Sequence, residues 1–279
     1  MIRILTDSSS GFTLEEVKKY NIEMMYIPIN FDGTEYLDQK ELTTDEFYAK
    51  LTTSKNLPKT SAINQILFEE VFNEAKEKGD ELIVLTIAKE LSITFEQAVR
   101  AKDAVGYDKI HLIDTSAVAP ALIALVLETV RLRKENKAAK DIVLEIEKLV
   151  PRVKLYAYVD TLKYLRAGGR ISGASAMIGT MLSIKPHLYM INGKLESYAK
   201  SRGLKKAQAH LLAQLKEQPV DFSMPIYFGH TNNIAECEKL KQEAIAEHKF
   251  ADTGNWAISA TVATHAGPGA VAVVFFTKK

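Results

Sequence analysis

The 279 residues contain a single cysteine, Cys237, so no disulfide can form within the chain and nothing in it calls for an oxidising compartment. Cys237 sits in the charged run AECEKLKQE, which reads as a free thiol on a solvated helix rather than a catalytic one. Neither sign of charge is in excess, with 36 Lys and Arg against 35 Asp and Glu. There is therefore no basic field to favour nucleic acid and no polybasic tract to hold an anionic membrane. The N-terminus lacks the charged start, long apolar middle and cleavage site of a signal peptide. The most apolar run, residues 117–127, falls well short of the ~20 residues that span a bilayer and is interrupted by Pro120. These absences predict a cytoplasmic protein. Internal repeats and low-complexity tracts are missing too.

The common chemical signatures are equally scarce. The chain carries no Gly-x-x-x-x-Gly-Lys-Ser/Thr and no Gly-x-Gly-x-x-Gly after its first strand, so phosphate-loop and dinucleotide sites are not indicated. Gly-x-Ser-x-Gly and His-Glu-x-x-His do not occur either. The six histidines have no metal-ligand spacing with carboxylates or cysteine, and no metal or cofactor is assigned.

What is present is an alternation of strands and helices over the first 150 residues. Residues 2–6 read as a buried strand, followed by the turn Asp7-Ser8-Ser9-Ser10-Gly11 and a capping box at Thr13 and Glu16. The Ser8–Ser10 hydroxyls suit either turn formation or an anion. Residues 22–30 read as one further strand, and Thr43 with Glu46 forms a second capping box. The continuous apolar run in ELIVLTIA, residues 81–88, fits a central parallel strand buried on both faces. Residues 109–114 form another strand, and 115–133 and 138–149 are helical. This pattern predicts an α/β fold whose N-terminal sheet is mostly parallel with helices on both faces. A boundary at Pro151 would separate domains 1–151 and 152–279, the second an α/β domain with a mixed sheet. In it, residues 187–191 and 194–200 flank Asn192-Gly193 as a β-hairpin, and 256–264 and 270–277 read as strands.

Hydroxyls recur between strand ends and helix starts, at Thr60 and Ser61 and again at Ser92 and Thr94. Free backbone N–H groups at such places favour an anion, and two of them on neighbouring strands would face one crevice. Ser61 suits a plain N-cap equally well. Gly168-Gly169-Arg170 leaves two readings open. It is either a pocket wall presenting a cation, or a helix C-cap followed by a surface arginine. His265, before Gly-Pro-Gly, is placed where backbone can approach a ligand, or is a turn histidine packed on a neighbour.

The segments TDSSSG (6–11), KTSA (59–62), LSIT (91–94), IDT (113–115), DTLKYLRAGGRIS (160–172), LSIKP (182–186), SRG (201–203) and THAGPG (264–269) together resemble the DegV family of bacterial lipid-binding proteins, over essentially the whole chain. The resemblance implies a two-domain α/β protein that buries a long-chain fatty acid between or beside its domains. It implies further that the protein is not itself an enzyme, and that it acts with the ATP-binding subunit of a fatty acid kinase, which phosphorylates the carboxylate. The bound lipid also leaves room for transient membrane contact. Carried over by position, Thr60 and Ser92 hold the carboxylate, and Arg202, His265 and Arg170 face the head group or the partner. Ser61, Thr94 and Gly169 are further pocket candidates. The chain departs from the family pattern at Ala88 and Lys89, where a Ser-Ser pair is usual, at Ile93 in place of glycine, and at Gly203 in place of threonine. A sixteen-carbon acid would bury about fifteen methylene or methyl groups, roughly 12 kcal/mol gross. Residues 117–127, 173–178 and the last strands are candidates for its tunnel. The competing reading is a stand-alone small-molecule phosphotransferase or hydrolase using the Gly-rich turns as a phosphate site.

Overall fold

A computed structural model describes residues 1–172 and 183–279. The small-residue segment 173–178, a candidate tunnel wall, lies outside the described residues.

β1 (Ile2–Asp7) runs through a short 3-10 turn at Ser8–Ser10 into α1 (Leu14–Tyr20), which opens on the reciprocal Thr13–Glu16 capping box. The segment expected to be one strand over 22–30 is two. β2 (Glu23–Met25) pairs in parallel with β1, whereas β3 (Pro28–Phe31) joins a separate sheet with β4 (Thr34–Leu37). The chain changes sheets at Tyr26-Ile27, where the Ile27 N–H donates to the Ser8 hydroxyl at 3.0 Å instead of to a ladder partner.

α2 (Thr44–Thr53) starts on the second capping box, and β5 (Lys59–Thr60) completes a three-stranded sheet in the order β4-β3-β5. α3 (Gln65–Lys78) is capped by Asn64, not by Ser61, whose hydroxyl is thereby left out of the helix. β6 (Glu81–Thr86), α4 (Thr94–Val105) and β7 (Ile110–Asp114) complete a four-stranded, all-parallel sheet in the order β2-β1-β6-β7, with β6 buried on both faces.

α5 (Pro120–Lys134) begins with proline at its first position, where a missing N–H is harmless, and α6 (Ala139–Leu149) follows. β8 (Val153–Tyr158), α7 (Lys163–Ala167) and β9 (Ile171–Ser172) lead to the hairpin of β10 (Ile184–Ile191) and β11 (Lys194–Arg202). Asn192 and Gly193 turn it with φ of 48° and 77°, as a type I′ turn requires. α8 (Leu204–Glu217), β12 (Ile226–His230), α9 (Ile234–Glu247), β13 (Thr253–Ala257), α10 (Ala260–Ala266) and β14 (Val271–Phe276) finish a seven-stranded mixed sheet.

Two corrections bear on function. Residues 260–266 are a helix, not the end of a strand, so His265 projects from the last turn of α10. Residues 117–127 are core: Leu122 through Val126 are wholly buried and pack with Ile4, Leu155 and Val274 in one cluster spanning the four- and seven-stranded sheets. β14 belongs to the same and a neighbouring cluster. Among the described residues of the proposed tunnel segments, only Val118 reaches the cavity described below. Cys237 is also buried, donating to Asn255 Oδ1 at 3.1 Å, and burial pushes its thiol up to about 12, far from thiolate chemistry. Among the described residues, no helix is long and apolar enough to cross a membrane.

Candidate functional site

A cavity of about 300 Å³ opens where the ends of β5 and β6 meet α7 and α10. Its apolar wall is made by Ile27, Ile87, Leu91, Val118, Leu165, Leu195, Val262 and Ala266, and its polar lining by Thr60, Ser61, Ser92, Arg170, Thr261 and His265. A second hollow of about 220 Å³ lies beyond, lined by Lys59, Tyr164 and Gly168 and sharing Thr60, Arg170 and His265 with the first. These three side chains stand between the two spaces.

The walls are set from behind by the turn after β1. Asp7 is fully buried, and its carboxylate accepts the Ile87 N–H at 2.7 Å and the Ser9 N–H at 2.9 Å. Ser8 fixes Ile27 as above. The Asp7, Ser8 and Ser10 side chains therefore bind backbone, the Ser9 hydroxyl donates to the Asp7 carboxylate, and none of the four is among the lining residues. The turn's role is to fix the loops that bear Ile27, Ile87 and Ser92.

Within the polar cluster, Thr60 Oγ1 and His265 Nε2 lie 2.9 Å apart. Burial first, and the Arg170 charge second, push the His265 imidazole down to about 4, so it is neutral at physiological pH. A neutral His265 protonated on Nε2 donates to Thr60 and leaves the Thr60 O–H pointing elsewhere, free to donate to a ligand. Nδ1 then carries only a lone pair, which agrees with its lack of any hydrogen-bond partner. Ser92 is arranged similarly. The Ile63 N–H donates to Thr94 Oγ1 at 3.4 Å, and Thr94 Oγ1 lies 2.9 Å from Ser92 Oγ. When Thr94 donates to Ser92, the Ser92 proton is released toward the cavity. With Nε2 protonated on His265 and Thr94 donating to Ser92, each hydroxyl turns its own O–H outward, which is what an oxyanion needs.

Arg170 supplies the charge. Its Nε donates to the Leu91 carbonyl at 3.2 Å and its Nη1 to the Gly168 carbonyl, which ties it to the loop bearing Ser92 and to the turn beside His265. Among the described residues, its remaining N–H groups have no acceptor. Gly168 ends α7, and Gly169 follows with φ of 68°, a conformation L side chains rarely adopt. This turn lets Arg170 fold back over Leu91.

Of the residues singled out from sequence, Thr60, Ser61, Ser92, Arg170 and His265 share the cavity; Thr94 stands directly behind Ser92. Gly169 shapes the turn without lining either space, and Arg202 is exposed at the end of β11, outside both. Ile93 both lines the cavity and remains 59% exposed, so it stands at the rim. Sequence reasoning missed Ile27, Leu165, Leu195 and Val262. Each is a single apolar residue without a local signal, Ile27 between two strands and the others within elements, and only the tertiary fold collects them. Among the described residues, no group of three or more His, Cys, Asp or Glu is placed to hold a metal ion.

Comparison with known proteins places this architecture. The family model for uncharacterised proteins of the DegV family matches residues 1–278. A DegV domain-containing protein of Caldanaerobacter subterraneus subsp. tengcongensis is 31% identical over 279 residues, covering 100% of this chain and 99% of the relative. A solved DegV family protein of Thermus thermophilus, described as binding fatty acid, is similar with a TM-score of 0.92 at 27% identity over 99% of both chains. A fatty acid binding DegV family protein of Streptococcus agalactiae gives 0.89 at 29% identity, over 100% of this chain and 99% of the other.

Proposed function

The chain belongs to the DegV family, and from that premise and the geometry of its cavity we propose that it binds a long-chain fatty acid and presents the carboxylate to a separate ATP-using kinase subunit, which converts it to an acyl phosphate. The observation that carries this reading is the composition of the cavity: an apolar wall for an acyl chain, and one cluster of two hydroxyls, each hydrogen-bonded from behind by His265 or Thr94, with an arginine. A cavity of about 300 Å³ is at the lower end of those that enclose small ligands. In this reading Thr60 and Ser92 donate to the carboxylate oxygens, and Arg170 balances its charge, since a carboxylate is expensive to bury without such partners. His265 holds Thr60 in the donating orientation. Arg202, outside the cavity, faces the kinase subunit. The protein does no chemistry itself, needs no cofactor, and works in the cytoplasm with transient contact to a membrane.

The test is to extract the purified protein under denaturing conditions and identify the bound molecule by mass spectrometry. A co-purifying fatty acid of stoichiometric amount is expected. Protein that emerges without lipid and also fails to bind added palmitate overturns the reading. Turnover of a phosphorylated small molecule without any partner would favour a phosphotransferase or hydrolase instead.

A further inference from the structure

We propose that Asp38, which lies behind the cavity lining and is not part of it, is a positioning residue for the polar cluster: it caps α10 from outside that helix and so holds His265 against Thr60. Asp38 follows β4 and is completely buried. Its backbone N–H donates to the Ile27 carbonyl at 3.2 Å, which anchors it to a cavity-wall residue. Its carboxylate Oδ2 accepts the backbone N–H of Thr261 at 3.1 Å, across 223 positions of sequence. Thr261 lies in the first turn of α10, whose opening N–H groups have no partner within the helix. Ser259 occupies the N-cap position and is of a residue type that ordinarily fills this role, yet its side chain makes no cap bond. The cap is therefore supplied by Asp38.

The other end of the same helix is pinned by the same sheet. Asp38 leaves β4 and Thr60 lies on β5, and both strands pair with β3. Asp38 holds the first turn of α10, and Thr60 meets His265 in the last. On the face that carries neither pin, Ala260 and Ala263 share a buried cluster with Ile29, Phe31 and Phe47. Small residues on that face bring the helix close but leave it free to slide or rotate, so the polar pins fix its register. The inference rests on the proposed role of Thr60 and His265 in binding, but its first readout does not.

The experiment compares the full-length chain with Asp38→Ala and Asp38→Asn. In the ligand-free proteins, imidazole nitrogen NMR reports the environment of His265; thermal melting reports global stability; isothermal titration with palmitate reports binding. Asp38→Ala is expected to move the His265 signals and weaken palmitate binding on the order of tenfold, as loss of a helix cap does for its helix. Asp38→Asn retains an acceptor and is expected to restore both. Unchanged His265 signals in Asp38→Ala overturn the proposal. Should Asp38→Ala fail to fold, amide exchange at Thr261 in the unaltered protein decides: slow exchange supports the cap, and exchange at the rate of an open amide overturns it. If His265 moves but no variant, nor the parent, binds palmitate, the positioning role stands and the fatty-acid reading falls.

Discussion

His265 packs directly onto Gly168: a Cβ built on that glycine would lie 2.1 Å from His265 Nδ1 and 2.9 Å from Cε1. The first glycine of the pair therefore makes room for the imidazole, while the second supplies the turn. Gly168 has φ of −82°, which any residue adopts, so only the close approach demands glycine there.

The expected consequence is specific. Gly168→Ala forces the imidazole away from α7 and breaks the Thr60 contact, an overpacking that costs about 1–3 kcal/mol in a well-packed site. Palmitate affinity should fall roughly tenfold or more. Gly169→Ala instead strains a positive φ and should lower the melting temperature more evenly. Calorimetric titration and thermal melting of the two variants distinguish these outcomes. Equal behaviour would show that the His265 contact carries no special weight.

The hydroxyl relays predict that a residue without ligand contact affects binding. Thr60→Ala and Ser92→Ala each remove a hydrogen bond to a charged group, expected to cost about 1.5–3 kcal/mol, or roughly 10- to 100-fold in affinity. Thr94→Val leaves Ser92 in place but removes the donor that orients it. It should weaken binding less than Ser92→Ala, and the Ser92→Ala/Thr94→Val pair should be non-additive in a double-mutant cycle. Additive losses would mean that Thr94 does not act through Ser92.

Much of this architecture is legible in the sequence because its signals are local. The capping boxes at Thr13 and Thr43, the apolar run of β6 and the Asn192-Gly193 turn each depend on neighbouring residues alone. α10 is the opposite case. Thr261, Val262 and Thr264 give residues 256–264 the β-branched content of a strand. The helix forms because its alanine face docks on the three-stranded sheet and because its cap comes from Asp38, neither visible in a local window. The cavity follows the same division. The hydroxyls and Arg170 stand out by motif, whereas Ile27 becomes a wall residue only because Ser8 takes its N–H out of a ladder. An all-round apolar helix start, as at 117–127, fits core and cavity lining equally, and here the core claims it.

Proton binding should follow from the buried groups. His265 and His187 are both pushed down to about 4, chiefly by burial, with Arg170 adding to the first and His210 to the second. Between pH 4 and about 6.5 the unfolded chain binds protons at these positions that the folded chain refuses. Their contribution to stability is complete above pH 6.5 and is lost as pH falls toward 4. Asp38 has the opposite sign: burial pushes its carboxyl up to about 6, so the folded chain keeps a proton that the unfolded chain releases, and stability falls as pH rises from about 4 to 6. His265→Gln should make the acid loss of stability shallower, and Asp38→Asn should make it steeper. Denaturant titrations between pH 4 and 7 measure both. Arg170→Met should raise the His265 titration seen by NMR, because a nearby positive charge is removed.

The two arginines of the proposed function should separate binding from presentation. Arg170 reaches into the cavity from the turn after α7, held by the Leu91 and Gly168 carbonyls, whereas Arg202 is exposed at the end of β11 and lines neither space. Arg170→Ala leaves a bound carboxylate without its counter-charge and should weaken palmitate binding on the order of tenfold to a hundredfold. Arg202→Ala should leave palmitate affinity within twofold of the parent, since substitutions on an exposed surface rarely exceed about 0.5 kcal/mol. With a fatty acid kinase ATP-binding subunit added, the same Arg202→Ala protein should lose acyl phosphate formation on the order of tenfold or more, because exposed arginines are frequent anchors at protein interfaces. Direct binding of the two proteins, measured in parallel, should weaken by a similar factor. An Arg202→Ala protein that supports phosphorylation at the parent rate would remove Arg202 from the partner surface, while leaving the Arg170 result to stand on its own.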